Sequence, residues 1–448
     1  MTLLEIFPSL RSGGMPPRLD SAIWPRDTHY DDAGRITVGG VALADIADQY
    51  GTPTYVLAER EVRERCRAYR AAFPEAEIYY AGKALMIKAV ADWVTEEGLS
   101  VDVCSAGELA VALAAGVDPK RIILHGNGKS FDELEAAVQV GVGRIVVDSL
   151  AEINLLSALA TGSQQVMLRL SPGIDVHGHP AVVTGVTDQK FGFPLGSDSA
   201  AEAVARILRQ PKLRLVGFHC HLGSQICEPD HYGEAIRRMV AEMSRVRDDH
   251  DHLLTHLDIG GGHGVAYRCG DAEMNLIELA AIVEDALDAA CARRGFPRPV
   301  IAIEPGRAIV AHAGVTLYRV RSVKHIDGGH TYVTVDGGMS DNPRVALYGA
   351  QYSVVVANRH PTGPHMTATV VGRFCEAGDI LATDVQLPAN LRPGEVLAMP
   401  CTGAYHHSLA SSYNCVGRPP IIAVRKGVSR ELVRRETMSD LLSRDIGR

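Results

Sequence analysis

The fold is decided by five runs of sequence: IYYAGKA (78–84), SVDVCS (100–105), IILHG (122–126), RIVVDS (144–149) and QVMLRLS (165–171). Each run is short and rich in Val, Ile or Leu, which is typical of buried parallel strands. Their starts recur about every 22 residues, close to the shortest length that a strand, a turn, a helix and a second turn require. The segments between them are helix-like and end in glycine, a common helix stop. This part of the chain therefore predicts repeated strand–helix units.

Three more strand-like runs follow at wider spacing: LVGFHCHLG (215–223), HLDIGGG (256–262) and VIAIEPG (300–306). Eight strand–helix units are the number that closes a (β/α)8, or TIM-like, barrel, so we predict an α/β barrel. An open doubly wound sheet is the alternative, but no switch point is evident in the sequence. A long insertion rich in Gly, His and Asp (171–193) follows the fifth run, and such insertions are usually active-site loops.

The pattern changes after residue 310. Short strands with turn residues between them predict an all-β second domain. They are VTLYRVRSVKHI (315–326), TYVTVDGG (331–338), YSVVVANR (352–359), TATVVGRF (367–374) and EVLAMPCTGAY (395–405). The run RITVGGVAL (35–43) is also strand-like and precedes the barrel. We therefore predict an N-terminal segment (1–48) that joins the β domain, a barrel over 49–310 and a C-terminal β domain over 311–448.

Composition excludes several classes of protein. The chain has 448 residues, of which 46 % are apolar and 22 % charged, so a disordered or fibrous protein is excluded. A net charge of −8 disfavours binding to nucleic acid or to an anionic membrane. The sequence holds no apolar run of 18 residues and begins without a signal-peptide pattern. Its nine cysteines are scattered and form no CxxC, which favours a reducing, cytoplasmic compartment.

The predicted strand ends should carry the chemistry, because catalytic residues of a barrel cluster where strands run into loops. They offer Lys83, Asp102–Ser105, His125, Asp148, Arg169, His219–Ser224, Gly260–Gly262 and Glu304–Arg307. A lysine, a glycine-rich turn, a carboxylate and an arginine together suit a phosphate-bearing aromatic cofactor that is held by an imine.

Lys83 lies in an apolar run at a strand end, where burial is expected to lower the pKa of its amine and so favour a Schiff base. The alternative is a lysine that extends to solvent from a helix start. The consecutive glycines of DIGGGHG (258–264) would let backbone N–H groups approach a phosphate, although glycine clusters also form tight turns.

The run HCHLGSQ (219–225) offers Ser224 as a further phosphate donor and His221 as a flat ring. The pair His219 and His221 could bind a metal, but no further ligand follows at a typical spacing, so no metal site is predicted. In EPGR (304–307), Glu304 beside a pyridine nitrogen would keep that nitrogen protonated. A structural ion pair within this motif is the alternative.

Seven motifs occur in one order along almost the whole chain. They are YAGKA (80–84), HLGSQ (221–225), DIGGGHG (258–264), EPGRA (304–308), DGGMSDNPRVALYGA (336–350), GRFCEAGDIL (372–381) and GAYHHSLASSYN (403–414). Through these motifs and their order, the sequence resembles the fold-type III pyridoxal-phosphate decarboxylases. Within that family it is most similar to the diaminopimelate decarboxylases. That family combines a barrel with a β domain, which agrees with the predicted architecture.

The resemblance implies a pyridoxal 5'-phosphate site. Its residues are Lys83, His221, Ser224, Gly262, Glu304, Pro305, Gly306, Arg307 and Tyr405. Lys83 would hold the cofactor as an imine, and His221 would stack on its ring. Ser224 would contact the phosphate, and Glu304 would face the pyridine nitrogen.

The resemblance also implies where substrate binds. The implied residues are Arg307, Arg344, Tyr348, Glu376 and Tyr405. Cys375 would be a catalytic proton donor that, with Glu376, reaches the neighbouring subunit's site, so the active unit would be a homodimer. Without the resemblance, Cys375 would be interpreted as an inert thiol and residues 336–344 as a turn-rich loop.

The implied reaction is decarboxylation of meso-2,6-diaminopimelate at its D-centre to L-lysine and carbon dioxide, the last step of lysine biosynthesis. The sequence departs from the usual family pattern at Gly82, Leu85, Gly128, His406 and in VHGHPAVVTG (176–185). Two alternatives stay open: a sister decarboxylase for a diaminopimelate conjugate or another basic amino acid, and an inactive cofactor-binding regulatory homologue.

Overall fold

Eight parallel strands close the barrel. The computed structural model describes residues 19–176, 185 and 189–447. The barrel strands, first to eighth, are Glu77–Ala81, Ser100–Val103, Ile122–Leu124, Arg144–Val147, Gln164–Ser171, Leu213–His219, His256–Asp258 and Val300–Ile303. Each pairs in parallel with the next, and Ala302 of the eighth pairs with Glu77 of the first. The predicted barrel is therefore confirmed, and the open sheet is excluded.

Helices follow the strands along the chain. Those of the barrel region are Glu59–Ala72, Lys88–Glu96, Ala106–Ala114, Phe131–Val140, Leu150–Leu159, Asp198–Leu208, Asp230–His250, Leu276–Arg294 and Arg307–Val310. Several begin at a serine whose side chain accepts a backbone N–H of the first turn, as Ser105, Ser130 and Ser149 do. Gly141 ends one helix in the left-handed conformation, as its sequence position predicts.

A layer of apolar side chains fills the barrel interior below the site. Its members are Tyr79, Ile123, Val146, Met167, Val216 and Ala302, all buried and contributed by six different strands. Barrels are filled by such layers rather than left open. The polar residues of the same strands are thereby confined to the ends of the barrel, where the strands meet loops.

The β-rich domain forms the second large sheet. Its strands are Gly314–His325, Thr331–Val335, Val355–Val356, His365–Val371, Ile380–Pro388, Val396–Pro400, Ile421–Arg425 and Val428–Val433. The short helices Arg344–Tyr348 and Met438–Leu442 and the 3-10 turns His407–Leu409 and Tyr413–Cys415 lie between or after them. Further short elements of the chain are the helix Leu43–Tyr50, the 3-10 turns Gly82–Ala84 and Pro119–Arg121, and the strand Phe193–Pro194.

The strand Thr54–Ala58 also belongs to this second sheet. It pairs antiparallel with Gly314–His325 and parallel with Ile421–Arg425. It falls inside the range 49–310 that the sequence assigns to the barrel, so that boundary places this strand in the wrong sheet. A short strand before a helix has the same sequence pattern in either sheet, and only its pairing partners distinguish the two.

The N-terminal segment joins the β domain. The strands His29–Tyr30, Ile36–Val38 and Val41–Ala42 form a small sheet of their own. The Ile36 N–H donates to the Ala357 carbonyl at 2.9 Å, and Ile36 and Val38 pack in one apolar cluster with strand residues of the large sheet. Residues 1–18 of the predicted segment lie outside the described residues.

The predicted active-site insertion (171–193) is described only in part, because 177–184 and 186–188 lie outside the described residues. At its start, the Gly173 N–H donates to the Gly185 carbonyl at 2.8 Å, and the Gly185 N–H in turn donates to the Leu222 carbonyl at 2.9 Å. At its end, Phe191 reaches the cavity described below. Among the described helices, none is long and apolar enough to cross a membrane.

Candidate active site

A cavity of about 690 Å³ opens at the carboxyl ends of the barrel strands, where the β domain meets the barrel. It brings together most of the residues that the family resemblance implies. Those that line it are Lys83, His221, Ser224, Gly262, Glu304, Gly306, Arg307, Arg344, Tyr348 and Tyr405. Pro305 lies in the turn between two of them but is not among the lining residues, and neither Cys375 nor Glu376 lines the cavity.

Lys83 is held at the cavity by a turn tied to the β domain. The turn Gly82–Ala84 follows the first barrel strand directly. The Ala84 carbonyl accepts the Tyr405 N–H at 2.8 Å and the Ser408 hydroxyl at 3.0 Å. Tyr405 has a φ of 64°, a conformation that is uncommon for a tyrosine. The two domains therefore fix the lysine jointly.

The expectation of a lowered pKa at Lys83 is wrong for the chain without its cofactor. Burial lowers the pKa of this amine, but Tyr405, Asp102 and Glu304 favour the ammonium form, and the net result is a raised pKa. The sequence interpretation considered burial without the carboxylates that other strands bring close. Lys83 is therefore cationic before the cofactor binds and has to lose a proton to form a covalent bond.

A buried cluster of acids and histidines lies beside the lysine. Glu304, 5 % exposed, has one oxygen 2.7 Å from His125 Nε2 and the other 3.5 Å from His219 Nε2. Burial raises the pKa of Glu304, but the two histidines outweigh burial and hold it well below its usual range. Asp258 lies in the same cluster, where burial and the charge of Glu304 raise its pKa well above normal. The cluster therefore presents Glu304 as its ionised carboxylate.

The glycine-rich turn after the seventh barrel strand forms an anion cradle. Gly262 has a φ of +99°, and a Cβ atom there would lie 2.1 Å from the Gly223 carbonyl, so only glycine fits. Arg307 Nη2 donates to Ser224 Oγ at 2.7 Å at the edge of this turn. Backbone N–H groups, a hydroxyl and a guanidinium are donors that suit a phosphate group.

Two buried arginines form the wall toward the β domain. Arg307 is 8 % exposed and Arg344 6 % exposed. Neither has a hydrogen-bond partner for its Nε among the described residues. The Arg307 guanidinium lies 4.7 Å from the centre of the Tyr405 ring, and Arg344 donates to the Tyr352 hydroxyl at 2.5 Å. Buried guanidinium groups with unused donors indicate an anionic ligand.

The loop that carries Cys375 and Glu376 is exposed to solvent outside the cavity. Asp379 fixes its backbone by accepting the Met339 N–H at 2.7 Å and the Phe374 N–H at 2.8 Å. Tyr413 donates its hydroxyl to Glu376 at 2.8 Å. Within one chain, this loop is therefore ordered but does not reach Lys83.

Other lining residues were not assigned a role from the sequence. Asp102, His125 and Arg169 stood at predicted strand ends, which is the signal that could have selected them. Phe191 falls in the predicted active-site insertion. Residues that carried no signal are Tyr267, Arg268, Asp271 and Gln351. Tyr267 follows the glycine-rich turn by only three residues, and its role depends on contacts with residues distant in sequence.

The site fits a phosphate-bearing pyridine cofactor. It combines an amine (Lys83), an anion cradle and an ionised carboxylate within one cavity. His125, His219, Asp258 and Glu304 also offer ligand atoms within 4.8 Å of one another, a spacing that suits a metal ion. A cofactor whose ring nitrogen faces Glu304 would occupy the same group of side chains. That the enzyme needs no metal stays a prediction.

Comparison with known proteins identifies the family to which the chain belongs. Residues 59–311 match the family model described as the pyridoxal-binding domain of pyridoxal-dependent decarboxylases. The chain belongs to this family. The resemblance inferred from the sequence motifs is therefore confirmed, and this pyridoxal-dependent decarboxylase is a carboxy-lyase that uses pyridoxal phosphate.

Individual relatives match this decarboxylase over all or nearly all of its length. The diaminopimelate decarboxylase of Actinosynnema pretiosum subsp. auranticum is 52 % identical over 448 residues, which is all of both chains. That of Mycobacterium tuberculosis is 44 % identical over 95 % of this chain and 98 % of the relative. The crystal structure of M. jannaschii diaminopimelate decarboxylase in co-complex with L-lysine matches with a TM-score of 0.88 and 28 % identity, over 94 % of this chain and 98 % of the other.

Proposed function

We propose that this enzyme removes carbon dioxide from the D-centre of meso-2,6-diaminopimelate and releases L-lysine, the last step of lysine biosynthesis. The observation that carries this proposal is one cavity that holds both Lys83 and two buried arginines with unused donors. An anionic group on the substrate, in addition to the carboxylate that leaves, would match these arginines. Full-length relatives named diaminopimelate decarboxylases support the same assignment.

The residues of the barrel bind the cofactor. Pyridoxal phosphate, when bound, supplies an electron sink for the pair of electrons that the departing carboxylate leaves behind. Lys83 Nζ would hold the cofactor through its aldehyde group. Glu304 holds a proton at the ring nitrogen, since its own pKa lies well below the normal range. The glycine-rich turn and Ser224 bind the phosphate.

The distal end of the substrate is recognised by the β-domain wall. Diaminopimelate keeps an amino group and a carboxylate at its L-centre. Arg307, Arg344 and Tyr348 bind that carboxylate, and Glu376 pairs with the ammonium group. A diamine lacks the carboxylate altogether, so this arrangement separates an amino diacid from simple diamines.

The proposal includes a homodimer with shared sites. Cys375 and Glu376 are exposed on a loop whose backbone is firmly held, yet they lie outside the cavity of their own chain. In a dimer, this loop enters the partner's cavity. Cys375 then delivers a proton from Sγ to the carbon that lost the carboxylate, and Glu376 contacts the bound substrate.

We also place the enzyme in the cytoplasm. All nine cysteines lie in the described residues, and all nine are free thiols. Unpaired cysteines of this number are typical of a reducing compartment. Fractionation of the source cells with a specific antibody checks this placement.

The test is a substrate panel. Purified protein reconstituted with pyridoxal phosphate is assayed for carbon dioxide release from meso-diaminopimelate, lysine, ornithine and arginine, and its absorbance spectrum is recorded. We expect release from meso-diaminopimelate alone at a high rate. Faster turnover of a basic amino acid would favour the sister-decarboxylase alternative. A cofactor-loaded but inactive protein would favour the regulatory alternative.

A further inference from the structure

Tyr267 lies in the cavity wall between the two buried arginines. It follows the seventh barrel strand by nine residues, on the loop after the glycine-rich turn. Its side chain is 8 % exposed and lines the cavity. None of the roles assigned above to Lys83, Glu304 or Cys375 involves this tyrosine.

The contacts of Tyr267 connect it to both arginines. Its hydroxyl accepts a hydrogen bond from Arg307 Nη1. The guanidinium carbon of Arg344 lies 4.8 Å from the centre of its ring, and that of Arg307 lies 5.8 Å from the same centre. Each arginine has a second tether, since Arg307 donates to Ser224 Oγ at 2.7 Å and Arg344 donates to the Tyr352 hydroxyl at 2.5 Å.

The Tyr352 ring supports the same arrangement from behind. It meets the Tyr267 ring edge-on, with 5.4 Å between ring centres and 85° between planes. It also meets the buried His406 ring at 5.3 Å and 74°. The Tyr267 ring therefore cannot rotate away without displacing Tyr352 and His406, and both arginines are held against one rigid surface.

Two buried cations that face one ligand repel each other when the ligand is absent. A tyrosine counters this repulsion without adding a net charge, because its hydroxyl accepts from one guanidinium and its ring face attracts the other. The two guanidinium groups are then preorganised, and less conformational entropy is lost when a carboxylate binds. A carboxylate in place of the tyrosine would neutralise one arginine and weaken anion binding.

We infer that Tyr267 is a positioning residue that sets the spacing of Arg307 and Arg344 and thereby selects substrates with a carboxylate at the distal end. The inference rests on the proposed function for its substrate and extends it to a residue that acts through its contacts with the two arginines. It predicts that changes at Tyr267 weaken ligands that keep the distal carboxylate and spare ligands that lack it.

The test compares Tyr267→Phe and Tyr267→Leu with the wild type. L-lysine, the product, keeps the distal carboxylate, whereas 1,5-diaminopentane has the same chain and amines without it. For Tyr267→Phe we expect KM for meso-diaminopimelate and the inhibition constant of lysine to rise together by about tenfold, with kcat within about twofold. For Tyr267→Leu, which also loses the ring, we expect about 30-fold. The inhibition constant of 1,5-diaminopentane should stay unchanged in both.

Tyr79→Phe is the matched control. Tyr79 is buried, and its hydroxyl also accepts from an arginine, Arg144, at 2.9 Å, but it lies in the interior layer below the cavity. This variant should keep all three constants. A rise in the 1,5-diaminopentane constant equal to that of lysine would show a general distortion of the site and would overturn the inference, as would an unchanged lysine constant.

The failure of the proposed function would be recognised separately. It would appear as a wild-type protein that does not decarboxylate meso-diaminopimelate. The inference would then be judged on the affinities of the cofactor-loaded protein for lysine and for 1,5-diaminopentane, measured from the change in cofactor absorbance. A wild type without preference for lysine, or a preference that survives in Tyr267→Phe, overturns it.

Discussion

The barrel half of the site and the loop that carries Cys375 differ in how completely one chain builds them. Around Lys83, side chains from several barrel strands meet, and the charge of Glu304 is countered by His125, whose Nε2 lies 2.7 Å away and whose pKa is raised by this carboxylate. The Cys375 loop is held through its backbone, through Glu376 and through the Phe374 ring, which lies 5.6 Å from the Tyr413 ring, whereas Cys375 itself is exposed. In the proposed function, one chain therefore supplies the cofactor site, and the Cys375 loop of a second chain completes it.

The largest expected effect comes from Lys83→Ala. Among the described residues that line the cavity, Lys83 is the only lysine, so turnover should fall by more than about 10³-fold and the absorbance of the covalent complex should disappear. Steady-state kinetics and an absorbance spectrum measure both. Cofactor absorbance and activity close to those of the wild type would contradict the assignment of Lys83 as the residue that binds the cofactor.

Mixing two inactive variants tests whether the Cys375 loop acts in the active site of the partner chain. Lys83→Ala and Cys375→Ala should each be nearly inactive alone, but random dimers of the two contain one intact site in half of the molecules. We expect about a quarter of wild-type activity after equal amounts are unfolded and refolded together, because the subunits of a dimer assort at random. Cys269→Ser, at another exposed cysteine, is the control and should stay fully active. A mixture that stays inactive would argue against a site shared between chains.

A smaller effect is expected from Glu304→Gln, which removes the charge at the centre of the acid–histidine cluster. The amide can still accept a hydrogen bond but cannot stabilise a protonated ring nitrogen, so kcat should fall about 10²-fold while the cofactor stays bound. Since the pKa of Glu304 lies well below its usual range, protonation of this carboxylate should cause no loss of wild-type activity above pH 5 in a pH–rate profile. A retained kcat would show that the carboxylate does not act on the ring.

The smallest effect is on stability and concerns Asp102, whose pKa burial raises to about 7. Between its unfolded value near 3.8 and this folded value, the folded chain binds more protons than the unfolded chain, so stability falls as pH rises through that window. Asp102→Asn carries no such penalty. The cofactor-free variant should therefore melt above the wild type by roughly 2 °C at pH 8 and by less at pH 5. Calorimetry at both values measures the difference, and an equal gain at both would contradict this reasoning.

Much of the barrel half could be predicted from the sequence, because its residues lie at the ends of regular strands. The strand runs at 78, 100, 122, 144 and 165 each match an observed barrel strand, and the glycine-rich turn lies where its motif indicated. The sign of the pKa shift at Lys83 could not be predicted, since it depends on Asp102, Glu304 and Tyr405, which come from three other segments. Local burial is visible in a sequence, but the sum of charges around a point is not.

Tyr267 and the strand Thr54–Ala58 show the same limit in packing. Neither has a sequence signal that separates it from an ordinary buried residue or strand. The linear order of apolar runs, glycines and charged residues specified the barrel, the β domain and the family, because hydrophobic periodicity and turn chemistry act over a few residues. The tertiary structure decided which sheet a strand joins, which carboxylates surround an amine and which ring separates two arginines, because these depend on contacts between residues far apart in the chain.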